Sequence, residues 1–414
     1  MILFYRLFLL SYAFAIKLAS LFSPKAKKWV AGRKNWRDEL SSFRAMHQVQ
    51  NVIWMHCASL GEFEQGRPVL EALRKKHPEH LFALTFFSPS GYEIRKNYAG
   101  ADIILYLPLD TPENARDFIS ILRPSLAIFI KYEFWHYYLK TLKENHIPTL
   151  LVSGIFRSSQ PFFQWWGHFH REMLSCFTIL FVQDRNSAEL LSKIGIKENV
   201  IICGDTRFDR VIEIAAVQEH ISLPEEFDDK LCLVAGSTWK EDEQLLAAWY
   251  KRNPQWHMLI VPHEIHASRI EEVLALFPGS VLFSELNNES ISDSVYVIIV
   301  DKIGLLSKLY KAGSVCYVGG GFSKNGHHNI LEAAVYGKAV VTGPNHEKFR
   351  ESVELKRIGG SFVVKNAEEL NKLTSGKELI LKAGERSKKY VFDNAGVTEK
   401  VVSEIQEKRL LTKE

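Results

Sequence analysis

The sequence predicts an α/β protein built from two consecutive Rossmann-like, doubly wound domains. Three observations carry this. From Asn51 onward, apolar runs of strand length alternate with longer helical patterns. The runs are almost continuous in hydrophobicity, as parallel strands buried on both faces require. Finally, the series occurs twice, and a length of 414 residues accommodates two or more domains.

In the first series the strand candidates are "NVIWM", "LFALTFF", "DIILYL", "LAIFI", "TLLVS", "TILFV" and "VIIC", each followed by a turn or a helical stretch. After the acidic stretch "PEEFDDK" at 224–230 come "LCLVAGS", "HMLIVP", "VYVIIVD", "SVCYVGGG" and "KAVVTGP", ending in glycine, proline or a polar turn. The two series join near "GDTRFDR" at 204–210. The expected organisation is an apolar helix and basic segment over 1–37, a first Rossmann-like domain over 38–208, a second over 209–375, and C-terminal helices over 376–414.

The front end, "MILFYRLFLLSYAFAIKLASLF", is apolar apart from Arg6, Lys17 and a few hydroxyls. As a helix it would be about 33 Å long, enough to cross a bilayer. Arg6 and Lys17 fall on nearly the same helical face, which fits equally a helix lying in the interface with its cations reaching headgroups. Both placements stay open. The following "SPKAKKWVAGRKNWR" carries six cations and two tryptophans, Trp29 and Trp36, with no acid before Asp38. That composition predicts attraction to anionic lipid, and the absence of an A-x-A-like site argues against a cleaved signal peptide.

A net charge of only +4 argues against nucleic acid as a partner. The five cysteines, Cys57, Cys176, Cys203, Cys232 and Cys316, are scattered and lie mostly inside strand-like runs, reading as reduced core residues without zinc spacing.

The chemistry is expected where strands end. In "HCASLGEFEQGRPVLEAL", Glu62 stands at a strand-to-helix crossing, with the helical spacing clear behind Pro68. Its bland reading is complementing the positive end of that helix, and its functional one is a carboxylate at a ligand site. Glu133 in "IKYEFWHYY", Arg207 in "GDTRFD" and His263 in "VPHEIH" share the strand-end position. Each alone reads as a solvated acid or a salt-bridge partner, but strand ends of two facing domains would converge on one interdomain cleft. In "VGGGFSKNGHHNILEAAVYGKAVVTGP", Gly319, Gly320 and Gly321 would let a ligand approach the backbone, and a helix starting near Asn329 would offer N–H groups to an anion. The spacing matches neither a dinucleotide fingerprint nor a P-loop and suits a nucleotide monophosphate or a sugar carried on one, with Glu332 either accepting from ribose hydroxyls or serving as a first-turn helix acid. Adjacent His327 and His328 cannot face one ion from a helix, so no metal site is expected.

Together, His56-Cys-Ala-Ser-Leu-Gly-Glu62, Glu133-Phe-Trp135, Gly204-Asp-Thr-Arg207-Phe-Asp, Ala235-Gly-Ser-Thr238, Val261-Pro262 and Gly326-His-His-Asn329-Ile-Leu-Glu332 closely resemble the bacterial 3-deoxy-D-manno-octulosonic acid (Kdo) transferases. The resemblance implies a GT-B fold with an N-terminal acceptor-side domain and a C-terminal nucleotide-sugar-binding domain. It implies an inverting transfer of Kdo from CMP-Kdo to a hydroxyl of the tetra-acylated lipid A precursor (lipid IVA), at the cytoplasmic face of the inner membrane. Glu62 matches the family's base; Glu133 and Arg207 match transition-state stabilisers. Pro262 and His263, Lys302-Ile303-Gly304, and Asn329, Ile330, Leu331 and Glu332 match the cytidylate-binding segments. No cofactor or metal is implied beyond the donor. The sequence departs from the family at His263, where an arginine is usual, at Lys131, usually small or acidic, and at Ile330 and Ala333, which replace prolines. The alternatives are another GT-B nucleotide-sugar enzyme, a glycosyltransferase or an epimerase, and a membrane-bound module that binds a sugar nucleotide without turnover. Residues alone leave the oligomeric state open.

Overall fold

The computed structural model describes residues 1–217, 221, 223–224, 227, 230–286, 296–324 and 326–411. Part of the acidic stretch at 224–230 lies outside the described residues. The chain divides into two compact units, Met1–Arg210 with Ala395–Glu414, and Val211–Asn394.

In unit 1, helices α1 (Ile2–Ala19), α2 (Pro24–Ala31) and α3 (Trp36–Met46) precede the first strand. Then follow β1 (Val52–Cys57), α4 (Leu60–Lys76), β2 (Leu81–Phe86), α5 (Pro89–Arg95), β3 (Ile103–Tyr106), α6 (Pro112–Leu122), β4 (Pro124–Ile130), α7 (His136–Glu144), β5 (Thr149–Gly154), α8 (His168–Leu174), β6 (Ile179–Val182), α9 (Arg185–Lys193), β7 (Val200–Ile202) and the first turn of α10 (Arg207–Ala216), whose remainder from Val211 belongs to unit 2. The strands form one seven-stranded sheet in the order β3-β2-β1-β4-β5-β6-β7, parallel throughout. Alternate residues of β1 enter different cores: Val52 and Trp54 on one face, Ile53, Met55 and Cys57 on the other. This is the period-2 geometry of a strand covered on both sides.

Unit 2 comprises β8 (Cys232–Thr238), α11 (Lys240–Tyr250), β9 (His257–Pro262), α12 (Ala267–Leu276), β10 (Val281–Leu282), β11 (Val297–Ile299), α13 (Leu306–Leu309), β12 (Val315–Val318), α14 (Leu331–Ala334), β13 (Ala339–Thr342), α15 (Arg350–Arg357), β14 (Ser361–Val363), α16 (Ala367–Thr374) and α17 (Lys377–Asp393). Its sheet runs β10-β11-β9-β8-β12-β13-β14, again parallel. The five expected strands are present. The two that sequence patterning misses, β10 and β14, are edge strands of two and three residues, too short for a periodic signal.

The segment from 376 onward divides. α17 packs in unit 2, whereas α18 (Val397–Glu407) returns to unit 1, where Val401, Val402 and Ile405 join the core beneath α4. Asp209 fastens the return, accepting from the N–H groups of Gly396 and Thr398 at 2.6 Å each.

Helix α1 has mean hydropathy 1.7 and, by length and composition, could cross a membrane. One of its faces is docked on unit 1. The Tyr5 hydroxyl donates to Asp110 (2.5 Å), Leu9 is buried, and Tyr12 packs on Trp29 and Phe87. The other face is a run of exposed apolar side chains, among them Leu3, Phe4, Leu7, Phe8, Leu10 and Phe14. Two expectations for the front end change. Arg6 turns onto unit 1 and donates to the Tyr137 hydroxyl, and Trp29 and Trp36 are only 8% and 3% exposed. The Arg33 guanidinium donates to the carbonyls of Trp29, Phe87 and Leu107 and stacks on the Trp29 ring at 3.8 Å, so it is part of the packing. Lys28 and Arg37 pair with Glu93 and Asp117. Lys25, Lys27 and Lys34 remain exposed.

Asp110 is fully buried and also accepts from the N–H groups of Tyr137 (3.1 Å) and Tyr138 (3.0 Å), the first turn of α7. Asp110→Ala strands three donors and should cost about 2–4 kcal/mol, against about 1 kcal/mol for Tyr5→Phe, which leaves the α7 contacts intact. Urea unfolding of the two variants measures this; equal costs would mean that Asp110 acts through Tyr5 alone.

Candidate active site

In unit 1 the strand order reverses direction between β1 and β4, the position at which an open parallel sheet leaves a crevice outside its carboxyl ends. The residues following these two strands are the predicted ones. Glu62 lies in the first turn of α4, which starts well before Pro68 and runs through it. Gly66 allows α4 to lie this close to the sheet, since a Cβ there would meet Met55 Sδ and Ile130 Cγ1 at 2.9 Å. Glu62 Oε2 accepts from the Ala58 N–H at 2.6 Å, so the helix-start contact does exist. Its electrostatic setting goes further. Burial, then the neighbouring Glu133, push the Glu62 carboxyl up to about 8, against the opposing pull of the Ala58 N–H, Lys131 and the Ser59 N–H. Lys131, one of the departures noted above, holds a positive φ of 66° directly after β4.

Glu133 is 7% exposed, and a chain of side chains fixes it. Trp54 Nε1 donates to Thr85 Oγ1 (2.8 Å), which lies 2.9 Å from His56 Nδ1; His56 Nε2 lies 3.1 Å from Glu133 Oε2, and Trp135 Nε1 donates to that oxygen at 2.7 Å. His56 Nδ1 also lies 3.2 Å from the Thr85 carbonyl oxygen and Trp135 Nε1 lies 3.2 Å from His56 Nε2, so the ring is held at both nitrogens. Sequence reading left His56, Thr85 and Trp135 without roles. The available signal was a histidine two residues beyond a tryptophan on the same face of an otherwise apolar strand.

Arg207 opens α10. Its backbone N–H donates to Asp205 Oδ1 (2.9 Å), and its Nε and Nη2 meet Asp205 Oδ2 at 2.9 and 2.8 Å. Burial would raise the Asp205 carboxyl, but Arg207, with Gln65 donating at 3.0 Å, outweighs it and holds Asp205 below the usual carboxylate range. Tyr132 ties the group together. Its hydroxyl, raised first by burial, is acted on by Arg157 and Arg207 in one direction and by Glu62 and Asp205 in the other. The three predicted catalytic residues therefore share one end of the unit 1 sheet.

In unit 2 the reversal falls between β8 and β12. Strands β11 and β9 on one side of β8 and β12 on the other deliver the three expected nucleotide segments to the same sheet end. Pro262 closes β9. His263 follows it, its ring stacked on those of Trp239 (4.7 Å) and His328 (4.5 Å). Burial first, then His263 and His327, lower the His328 imidazole to about 4, so it is neutral and accepts from Trp239 Nε1 at 3.3 Å. After β11, Lys302 lies over the Phe283 ring (5.5 Å), Ile303 is exposed, and Gly304 has φ 87°.

Two expectations are corrected here. The helix beyond Asn329 is a single turn, and Ile330 and Leu331 are fully buried, leaving Asn329 and Glu332 as the partly open side chains of the segment; Asn329 Nδ2 donates to Glu332 Oε1 (3.2 Å). The glycine run serves loop packing: a Cβ on Gly319 would lie 2.4 Å from Ser237 O, and one on Gly321 2.5 Å from Gly343 N. Among the described residues, the group able to hold a metal is His77, Glu79 and His80. It sits at the opposite end of α4 from Glu62, about 22 Å along the helix axis.

Two doubly wound units, each a parallel seven-stranded sheet with a switch point, make up a fold of the GT-B class. Residues 34–210 match the family described as 3-deoxy-D-manno-octulosonic-acid transferase (kdotransferase), a stretch that lies within unit 1. The similarity extends over most of the chain's length. The 3-deoxy-D-manno-octulosonic acid transferase of Aquifex aeolicus is 29% identical over 339 residues, covering 80% of this chain and 87% of that one. That of Haemophilus influenzae is 25% identical over 358 residues, covering 83% and 82%. In fold, the chain is similar to UDP-GlcNAc 2-epimerase from Neisseria meningitidis (TM-score 0.62, 16% identity, 86% and 100% covered) and to Acinetobacter baumannii MurG (TM-score 0.56, 12% identity, 86% and 99% covered).

The charges around Glu62 make a signed prediction. Glu133→Gln removes a like charge and should lower the pH at which Glu62 ionises; Lys131→Met removes a cation and should raise it. Carboxyl NMR of glutamate-labelled protein, with Glu62→Gln assigning the signal, reads both shifts without requiring turnover.

Proposed function

We propose that the protein is an inverting Kdo transferase. It would move Kdo from CMP-Kdo to a hydroxyl of the tetra-acylated lipid A precursor, lipid IVA, in lipopolysaccharide biosynthesis at the cytoplasmic face of the inner membrane. The observation that carries this is Glu62, a carboxylate at a sheet switch point whose ionisation is raised to about 8 by burial and by Glu133. A base poised near the operating pH suits abstraction of an alcohol proton.

In this reading the acceptor hydroxyl gives its proton to Glu62 as its oxygen bonds to the anomeric carbon. The bond from that carbon to the phosphate oxygen breaks on the opposite face, and cytidine monophosphate departs with the electron pair. Glu133, held by His56 and Trp135, opposes the positive charge developing on the sugar. Arg207, oriented by Asp205, supplies positive charge for the leaving phosphate. Pro262, His263, the 302–304 turn and the Asn329 and Glu332 side chains would hold the cytidylate. Because His263 stands where the resembling family has arginine, it can offer one ring N–H but no bidentate fork. The exposed apolar face of α1, with Lys25, Lys27 and Lys34, would keep the enzyme on an anionic membrane.

Glu62→Gln keeps shape and removes the base. Turnover should fall about 10²-fold or more, with cytidine monophosphate affinity near wild type. Arg207→Ala should also lower turnover, by loss of charge at the leaving phosphate. Mass spectrometry of the product formed from lipid IVA, with CMP-Kdo generated in situ, reads the reaction. Near-normal turnover in Glu62→Gln would leave Glu62 as a helix-start residue.

The leaving group is a monophosphate ester, whose charge protein cations and N–H groups can meet, so the proposed reaction needs no metal. Activity should persist in excess chelator; complete loss restored by magnesium would overturn this part of the reading.

A further inference from the structure

The chain has nine tryptophans. Seven are buried or partly buried, while Trp165 and Trp166, side by side, are 91% and 42% exposed. A tryptophan ring offers some 150–250 Å² of largely apolar surface with one polar N–H, which is why the residue concentrates where one end of the ring can be apolar and the other wet. Two adjacent exposed rings on an otherwise well-packed unit call for a partner.

The loop holding them is a built structure. Phe162 is buried in the core, and Arg171 Nη1 donates to the carbonyls of Phe162 (3.1 Å) and Gln164 (3.0 Å). Gln164 Nε2 closes the loop onto Ser158 O (2.9 Å). Gly167 passes so near the Pro161 carbonyl that a Cβ would lie 2.0 Å from its oxygen. Tight closure leaves Trp165 directed outward.

The loop also lies beside the start of α1. It runs directly into α8, whose Phe169 packs on Tyr5 of α1 at 5.5 Å, and Trp166 contacts His170 of the same helix. Met1 and Ile2, at the start of α1, line one groove with His168 and Phe169, where Lys140 is paired with Glu144 and Lys143 donates to the Ser175 carbonyl. The tryptophan loop, α8 and the start of α1 are thus contiguous within unit 1. An exposed apolar helix with an aromatic tip beside its start is an arrangement found at the boundary of a bilayer.

We propose that Trp165 and Trp166 form a second membrane-contact element, inserting at the level of the headgroups beside α1. This rests on the membrane association proposed above and adds where, besides α1, the protein meets the bilayer. Aromatic loop and helix together fix a plane, so the protein would be oriented on the membrane rather than tethered by one helix.

The test uses the full-length protein and vesicles of phosphatidylcholine and phosphatidylglycerol, with part of the phosphatidylcholine brominated on its acyl chains. Wild-type tryptophan fluorescence should be quenched on vesicle binding, and most of that quenching should vanish in W165F/W166F, which keeps the apolar surface. W165S/W166S should bind vesicles about tenfold more weakly or worse, with circular dichroism and thermal midpoint unchanged. Vesicle binding with equal quenching in wild type and W165F/W166F, or undiminished binding by W165S/W166S, would overturn this proposal and leave α1 as the anchor. Absence of wild-type binding would overturn the membrane reading as well. Loss of self-association in W165S/W166S without vesicles would assign the surface to a second copy and sink the proposal.

Discussion

A parallel sheet covered on both faces can place chemistry only at the ends of its strands, and that constraint organises everything else in this molecule. Backbone and side chains along β1, β2 and β4 are consumed by the sheet and two cores. The side chains that escape are those just beyond the last ladder bond. Where the strand order reverses, between β1 and β4, two such sets of loops leave in opposite directions, opening room for a ligand. Glu62 and Glu133 are the residues the two strands deliver there. Their proximity in a poorly solvated setting is what lifts Glu62 to about 8.

The two carboxylates are held in different ways. Glu62 is tied to a helix start through the Ala58 N–H. Glu133 is fixed by side chains from separate strands, a relay from Trp54 through Thr85 and His56, with Trp135 closing it. Both of its nearest side-chain partners are ring nitrogens, His56 Nε2 and Trp135 Nε1. Arg207 is the opposite case, a cation oriented by a dedicated carboxylate, Asp205, itself steadied by Gln65. Positive φ at Lys131, Ser153 and Ser237 marks strand ends of both sheets, where the chain must turn sharply to present these groups.

Unit 2 meets the same constraint with different materials. Its switch point gathers flat rings, Trp239, His263 and His328, in place of carboxylates. The glycines beside them are required by loops that pass within contact distance of one another. A surface of stacked, largely neutral rings suits the planar parts of a nucleotide better than it suits acid–base work.

The sequence by itself determined the alternation of buried strands and helices, the presence of two doubly wound units, and the strand-end placement of Glu62, Glu133, Arg207 and His263. These follow from local periodicity and from turn residues, which a chain segment carries regardless of its surroundings. Edge strands β10 and β14 escaped because two or three residues hold no period. Only the tertiary structure decided that β4 pairs with β1, bringing Glu133 to Glu62 across 71 positions of sequence. It also recruited His56, Thr85 and Trp135 as supports and sent α18 back beneath α4. Composition near the N-terminus pointed to Trp29 and Trp36 as lipid-facing; the fold buried both against Arg33 and α6 and exposed Trp165 and Trp166 instead. Which aromatic ring is covered depends on what distant segment lies opposite it. That is a property of packing between remote parts of the chain, and no local pattern encodes it.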